Sequence, residues 1–196
     1  MRGVALRELA RGWPQDADTL LLLKERARSD GDTNVRKVAL KELARGWPQD
    51  ADTLALLKEH ARSDEHGYLR AVALEELARG WPQDADTLEL LKERARSDED
   101  RDVREVALRK LARGWPEDAD TLALLKERAR SDEGRDVRMV AIQELARGWP
   151  QDSDTLAVLK KCARSDEHRD VRRIALQELA WGWPKDDDTL ALLKER

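Results

Sequence analysis

The chain has 196 residues, with 37 Lys+Arg against 41 Asp+Glu and a formal net charge of −4. Charged and hydrophobic residues each make up 40%, so there is apolar content for a core that a disordered chain of this charge density lacks. No run approaches the roughly 18 consecutive apolar residues of a membrane span, and the opening MRGVALRELARG has no secretory h-region, so a cytoplasmic protein is expected. Cys162 is the one cysteine, which excludes an internal disulfide framework and a multi-cysteine metal site. Ala, Leu, Arg, Glu and Lys dominate over aromatic and β-branched residues, which predicts an all-α fold.

Comparison of the chain with itself gives a period of 34: Trp13, Trp47, Trp81, Trp115, Trp149 and Trp183 recur at that spacing, each followed by one of the six prolines. LARGWP occurs five times, DTL six times and ARSD five times in the same register, without insertion. Six units cover the chain as one solenoid domain over 1–196, with repeats at 1–34, 35–68, 69–102, 103–136, 137–170 and 171–196. Two short helices cannot bury their faces alone, so each pair must stack on its neighbours.

The fourth unit illustrates the elements in chain order. Asp102 is a candidate N-cap, after which Val103, Val106, Ala107, Leu108 and Leu111 fall on one face at 3.6-residue spacing. Gly114 is expected at C′ in a left-handed conformation, with Pro116 beyond it, which closes helix A near Arg113. Asp118 is the second cap candidate, and Asp120 lies in the first turn of helix B, where its charge favours the dipole. Helix B is predicted over 119–130, with Leu122, Leu124, Leu125 and Ala129 inward and 131–136 as a polar loop. On a helical wheel Asp120, Ala123, Lys126, Glu127 and Arg130 point outward.

The run formed by Asp102, Val103, Arg104, Ala107, Leu111, Ala112 and Gly114 resembles the HEAT-like repeat family, and the resemblance spans the chain. It implies an α-solenoid of six helix-turn-helix repeats whose second helices line the concave surface. It also implies a ladder placing Asp30, Asp64, Asp98, Asp132 and Asp166 near Arg36, Arg70, Arg104, Arg138 and Arg172. The Trp-Pro turn is similar to that of the near-identical arrays in sensor regions of bacterial STAND-type signalling NTPases, although the chain has no G-x-x-x-x-G-K-[ST] phosphate loop. His60, Cys162, Trp181, Lys161, Ser153 and Asp187 each depart from the repeat by a change that one nucleotide can make. This favours a recently duplicated natural gene over an engineered consensus scaffold without a native ligand, which stands as the alternative.

For function, the Trp ladder is read as packing between helix pairs, with base or sugar stacking as the competing role. His60 and Cys162 share one unit position three repeats apart, as do His66 and His168, too far apart for either pair to share a metal ion. Every carboxylate recurs in an equivalent environment, whereas catalysis needs a unique, asymmetric site. No enzyme activity, catalytic residue, cofactor or metal is therefore expected. The candidate partner-binding residues are the rows on helix B: Lys58, Lys92, Lys126 and Lys160, and Arg62, Arg96, Arg130 and Arg164, flanked by Asp52, Asp86, Asp120 and Asp154. Interleaved signs and a net negative charge argue against a nucleic-acid groove, which stands as a further alternative; a protein or peptide partner is the expectation, and solvation by intrahelical pairs the bland alternative. The helix A positions holding Lys37, Ala71, Glu105, Met139 and Arg173 vary freely and read as solvated surface. The first and last units keep Val4, Leu6 and Leu9, and Leu190, Leu192 and Leu193, in register without a polar cap, which predicts end-to-end self-association.

Overall fold

The computed structural model of the chain describes residues 1–194. Among these residues all regular structure is α-helical, in twelve helices: α1 (Arg2–Gly12), α2 (Ala17–Ser29), α3 (Thr33–Gly46), α4 (Ala51–Ser63), α5 (Gly67–Gly80), α6 (Ala85–Ser97), α7 (Arg101–Gly114), α8 (Ala119–Ser131), α9 (Arg135–Gly148), α10 (Ser153–Ser165), α11 (Arg169–Gly182) and α12 (Asp187–Lys194). The pairs repeat as the period requires, and the fold is the expected α-solenoid class. None of these helices is long and apolar enough to cross a membrane.

The chain divides into two compact units, Met1–Leu91 and Lys92–Arg196, with the boundary inside α6. In the first, α1, α3 and α5 pack in series, and α2 and α4 lie against α3 and α5. In the second, α7, α9 and α11 form the series, with α8 against α9 and α10 against α11. A second helix thus packs more extensively on the first helix of the following pair than on its own partner, which is how stacking completes a core that one pair cannot build.

That core has the residues the period selects. Val103, Ala107, Leu108 and Leu111 on α7 and Leu125 and Ala129 on α8 are wholly buried, each Leu contributing about 1.5–3 kcal/mol on burial. Val106 and Leu122, also expected inward, are only half-buried. Thr53, Thr87, Thr121 and Thr155 are wholly buried as well, a row the apolar pattern does not announce. Each lies three residues after the Asp that caps its helix; the Asp118 carboxylate accepts from the Thr121 N–H at 2.8 Å and from its hydroxyl at 3.1 Å.

Two expected helix boundaries are corrected. The N-cap of α7 is Asp100, whose side chain accepts from the Asp102 N–H, so Asp102 lies inside the first turn. Either Asp can cap; the choice of Asp100 lengthens helix A by two residues at its start. Gly114 is the last helical residue, and no glycine has positive φ. The chain leaves the helix one residue later, at Trp115, with φ −136 and ψ 56, its N–H still bonded to the Leu111 carbonyl at 2.9 Å. Pro116 has no N–H with which to continue, and the Trp115 carbonyl accepts from Asp118 at 3.2 Å, so the turn closes without a left-handed residue.

Candidate functional site

The second helices carry the residues the sequence singles out, and their ionic geometry separates the Lys row from the Arg row. Lys58 Nζ donates to Asp84 and Asp86, both at 3.0 Å. The same bridge joins Lys24 to Asp50 and Asp52 (2.7 and 3.1 Å), Lys92 to Asp118 and Asp120 (3.1 and 3.3 Å), Lys126 to Asp152 and Asp154 (2.7 and 3.4 Å), and Lys160 to Asp186 and Asp188 (2.9 and 3.0 Å). In each case the first Asp caps the next second helix and the other sits in its first turn, so two carboxylates and an ammonium meet at a helix N-terminus. The lysines are consequently not outward-facing: the Lys92 side chain is 3% exposed. A wheel drawn for one helix places Lys126 outside because it contains no following repeat, and the following repeat covers it.

The loops carry a second set of bonds, within and between repeats. Arg104 Nη1 donates to the Asp98 carbonyl at 2.7 Å, while its Nε and Nη2 form a two-bond fork to the Asp132 carboxylate at 3.2 and 3.0 Å. Arg138 does the same with the Asp132 carbonyl at 2.7 Å and the Asp166 carboxylate at 2.9 and 3.0 Å. Arg36, Arg70 and Arg172 also reach the carbonyls of Asp30, Asp64 and Asp166. The ladder implied by the resemblance is present, and it has two parts: each Arg takes the carbonyl of the Asp before it and, at Arg104 and Arg138, the carboxylate of the Asp after it.

One rung differs. His60 stands where Arg26, Arg94 and Arg128 stand in other repeats, and its Nδ1 lies 2.7 Å from Asp64 Oδ2. Arg36 Nη2 is left 3.8 Å from that carboxylate and bonds His66 Nδ1 at 3.1 Å instead, while Arg36 Nε is buried without a partner. Cys162 occupies the same register, is buried, and directs Sγ to the Ala129 carbonyl at 3.4 Å. Burial pushes its thiol up to about 11, which removes the thiolate a nucleophile would need. Among the described residues no group of three or more His, Cys, Asp or Glu is arranged to hold a metal ion.

Within each unit the solvent-facing part of the second helices is a strip of four columns. In α4 it is Asp52, Ala55, Glu59 and Arg62; in α8, Asp120, Ala123, Glu127 and Arg130; in α10, Asp154, Ala157, Lys161 and Arg164. Asp86 and Glu89 continue it in the first unit and Arg96 in the second. The carboxylates remain accessible although they receive a lysine: Asp120 is 69% exposed. Trp47, Trp81, Trp115, Trp149 and Trp183 are half-buried at the turns between paired helices, and Trp13 is 60% exposed. A family model for HEAT repeats matches residues 1–78, 59–146, 88–180 and 125–196. No curated protein and no solved structure matches the chain.

Proposed function

The chain belongs to the HEAT repeat family, and we propose on that premise that it is a non-catalytic module holding a protein or peptide partner along the strip of its second helices, as a sensor or scaffold segment of a larger bacterial protein. HEAT repeats generally mediate protein interactions or scaffolding. The observation that carries the reading is the division of labour between the cation rows. The lysines are covered by the next repeat, whereas the side chains of Arg62, Arg96, Arg130 and Arg164 are solvent-exposed in identical register. Side chains that recur identically suit a partner with repeated contacts and give no helix pair the asymmetry that catalysis requires. The half-buried Trp residues are assigned to packing at the turns.

The test uses the partner captured by the parent protein. Arg96→Glu together with Arg130→Glu is expected to weaken it about tenfold with the thermal midpoint unchanged, and removal of whole repeats is expected to weaken it in steps. An enzymatic activity abolished by one substitution in one repeat overturns the reading.

Self-association has its own support. Trp181 is 89% exposed, and with Leu176, Ala180 and Leu193 it lines a largely apolar groove of about 420 Å³. Lys194 is exposed in the register of the bridging lysines, and Asp16 and Asp18 hold the register of the carboxylates that receive them. A second copy's first helix pair therefore offers this face the carboxylates that, within the array, receive the lysine of the preceding repeat. Light scattering on a dilution series of the 196-residue chain is expected to show a concentration-dependent mass that Leu193→Glu reduces; a constant monomeric mass, the same for both proteins, overturns it.

A further inference from the structure

We infer that the second repeat carries a binding slot for a guanidinium group, the side chain of an arginine in a peptide partner. The array supplies its own control for this slot. In the third and fourth repeats the corresponding position is Arg94 or Arg128, each under one-fifth exposed at its side chain. Arg128 Nη1 donates to the Arg96 carbonyl at 3.2 Å and lies 3.5 Å from the Asp132 carboxylate, and its Nη2 bonds Glu127. Arg94 bonds Glu93 and Asp98 in the same manner. The guanidinium thus has a defined set of acceptors: a carbonyl of the preceding repeat, the adjacent Glu and the loop Asp four residues on.

In the second repeat the guanidinium is gone and its acceptors remain. His60 ends in a shorter ring that turns to Asp64. Beside it lies a cavity of about 200 Å³ lined by Arg28, Arg36, Glu59, Ser63, Asp64 and Glu65 as well as His60. Arg28, Glu59 and Asp64 are the period equivalents of Arg96, Glu127 and Asp132. Three carboxylates against two guanidinium groups leave the lining one charge negative with His60 neutral, which suits one cation. Asp64 already accepts from His60 and from the His66 N–H, and a carboxylate has lone pairs for a further donor. Cys162 does not open an equivalent slot: the adjacent Glu is replaced there by Lys161, which repels a cation. The slot opens beside Glu59 and Arg28, both exposed, so a chain lying on the strip can place an arginine in it. The choice of a peptide as the source rests on the function proposed above, whereas the slot itself rests on the comparison of repeats.

The test is a titration of the intact, isotope-labelled chain at pH 8, followed through the amide resonances of residues 60–66. The probes are methylguanidinium, methylammonium and a capped Ala-Arg-Ala peptide. Saturable shifts with methylguanidinium and with the peptide are expected, with methylammonium at least about tenfold weaker. Substituting His60→Arg, which fills the slot with the chain's own side chain as in its neighbours, is expected to abolish both responses, and Glu59→Gln to weaken both. Failure of methylguanidinium to saturate, or an unchanged response in His60→Arg, overturns the slot. Binding of methylguanidinium without the peptide overturns the peptide as its source. Failure of the strip reading registers elsewhere, in the Arg96 and Arg130 variants.

Discussion

Replacing Asp132 by Ala is expected to cost about 3–5 kcal/mol, because it leaves charged groups buried without their counter-ion. The Asp132 carboxylate is 2% exposed and is shared by the Arg104 fork, Arg128 and the Gly134 N–H. Its loss therefore unties the loop from both helices of its repeat at once. At about 2–4 °C per kcal/mol for a chain of this size, the thermal midpoint should fall by about 6–20 °C. Asp120→Ala serves as the control. That residue is also bonded to a lysine but is largely exposed, and Lys92 keeps Asp118 at 3.1 Å, so its loss should cost no more than about 1 kcal/mol. Equal midpoints for the two variants would show that the loop Asp contributes no more than a surface pair. Replacing Arg104 by Met together with Asp132 by Leu should recover much of the loss, since a paired charge exchanged for apolar volume is often neutral.

Stability is expected to collapse below about pH 4 and again above about pH 10.5. At Asp84 and Asp118 burial opposes ionisation, but the bonds from Lys58 or Lys92 and from the following Thr outweigh it and hold the carboxyls below the ordinary range. At Asp152 and Asp186 the Lys126 and Lys160 hydrogen bonds are the leading cause of the same shift. A carboxyl depressed in the folded state stabilises above its unfolded value of about 3.9, and that contribution disappears as pH falls through the folded value. On the alkaline side, burial opposes the charge of Lys24, Lys58 and Lys160, yet their Asp pairs raise them on balance. Their contribution is complete below about 10.4 and is lost as pH rises through the folded values. Glu76 and Glu105 are raised by burial and act in the opposite sense above about 4.3, so the acid transition belongs to the Asp residues. Urea midpoints at pH 3, 7 and 11 decide the matter; equal values at pH 3 and pH 7 would exclude the Lys–Asp–Asp bridges as stabilising contacts.

Apolar periodicity made the helix pairs legible because it reports how a helix meets its core. Val103, Ala107, Leu108 and Leu111 needed only their spacing to be placed. Helix ends were less legible. Asp100 and Asp102 are equally good caps by composition, and the cap position drifts through Asp32, His66, Gly134 and His168, so no one residue type marks it. Gly114 suggested a left-handed exit, but its neighbour Trp115 takes the turn, at φ −136 and ψ 56. The largest difference lies in the lysines, since a wheel represents one helix and the environment of Lys126 is made by the next pair. A signal for it was nevertheless present: Lys24, Lys58, Lys92, Lys126 and Lys160 each precede an Asp-x-Asp by the same interval, an ionic pattern with no apolar counterpart.

The bonds from Lys58 to Asp84 and Asp86 span 26 or 28 residues and cross a repeat boundary, as does the bond from Arg104 to the Asp98 carbonyl. Each unit therefore holds half of every bridge to the unit before it and half of every bridge to the unit after it. Unequal recombination between two copies of such a gene, if it exchanges at the same point of the period, creates a junction whose halves already match. The copy number can then rise or fall by whole units with every junction intact. A single residue inserted inside a helix has the opposite effect, since it rotates the donors beyond it on that helix by about 100° and away from their acceptors. Exchange of entire repeats thus preserves contacts that gain of one helical residue breaks. Such a gene can adjust the reach of its product in steps of one helix pair.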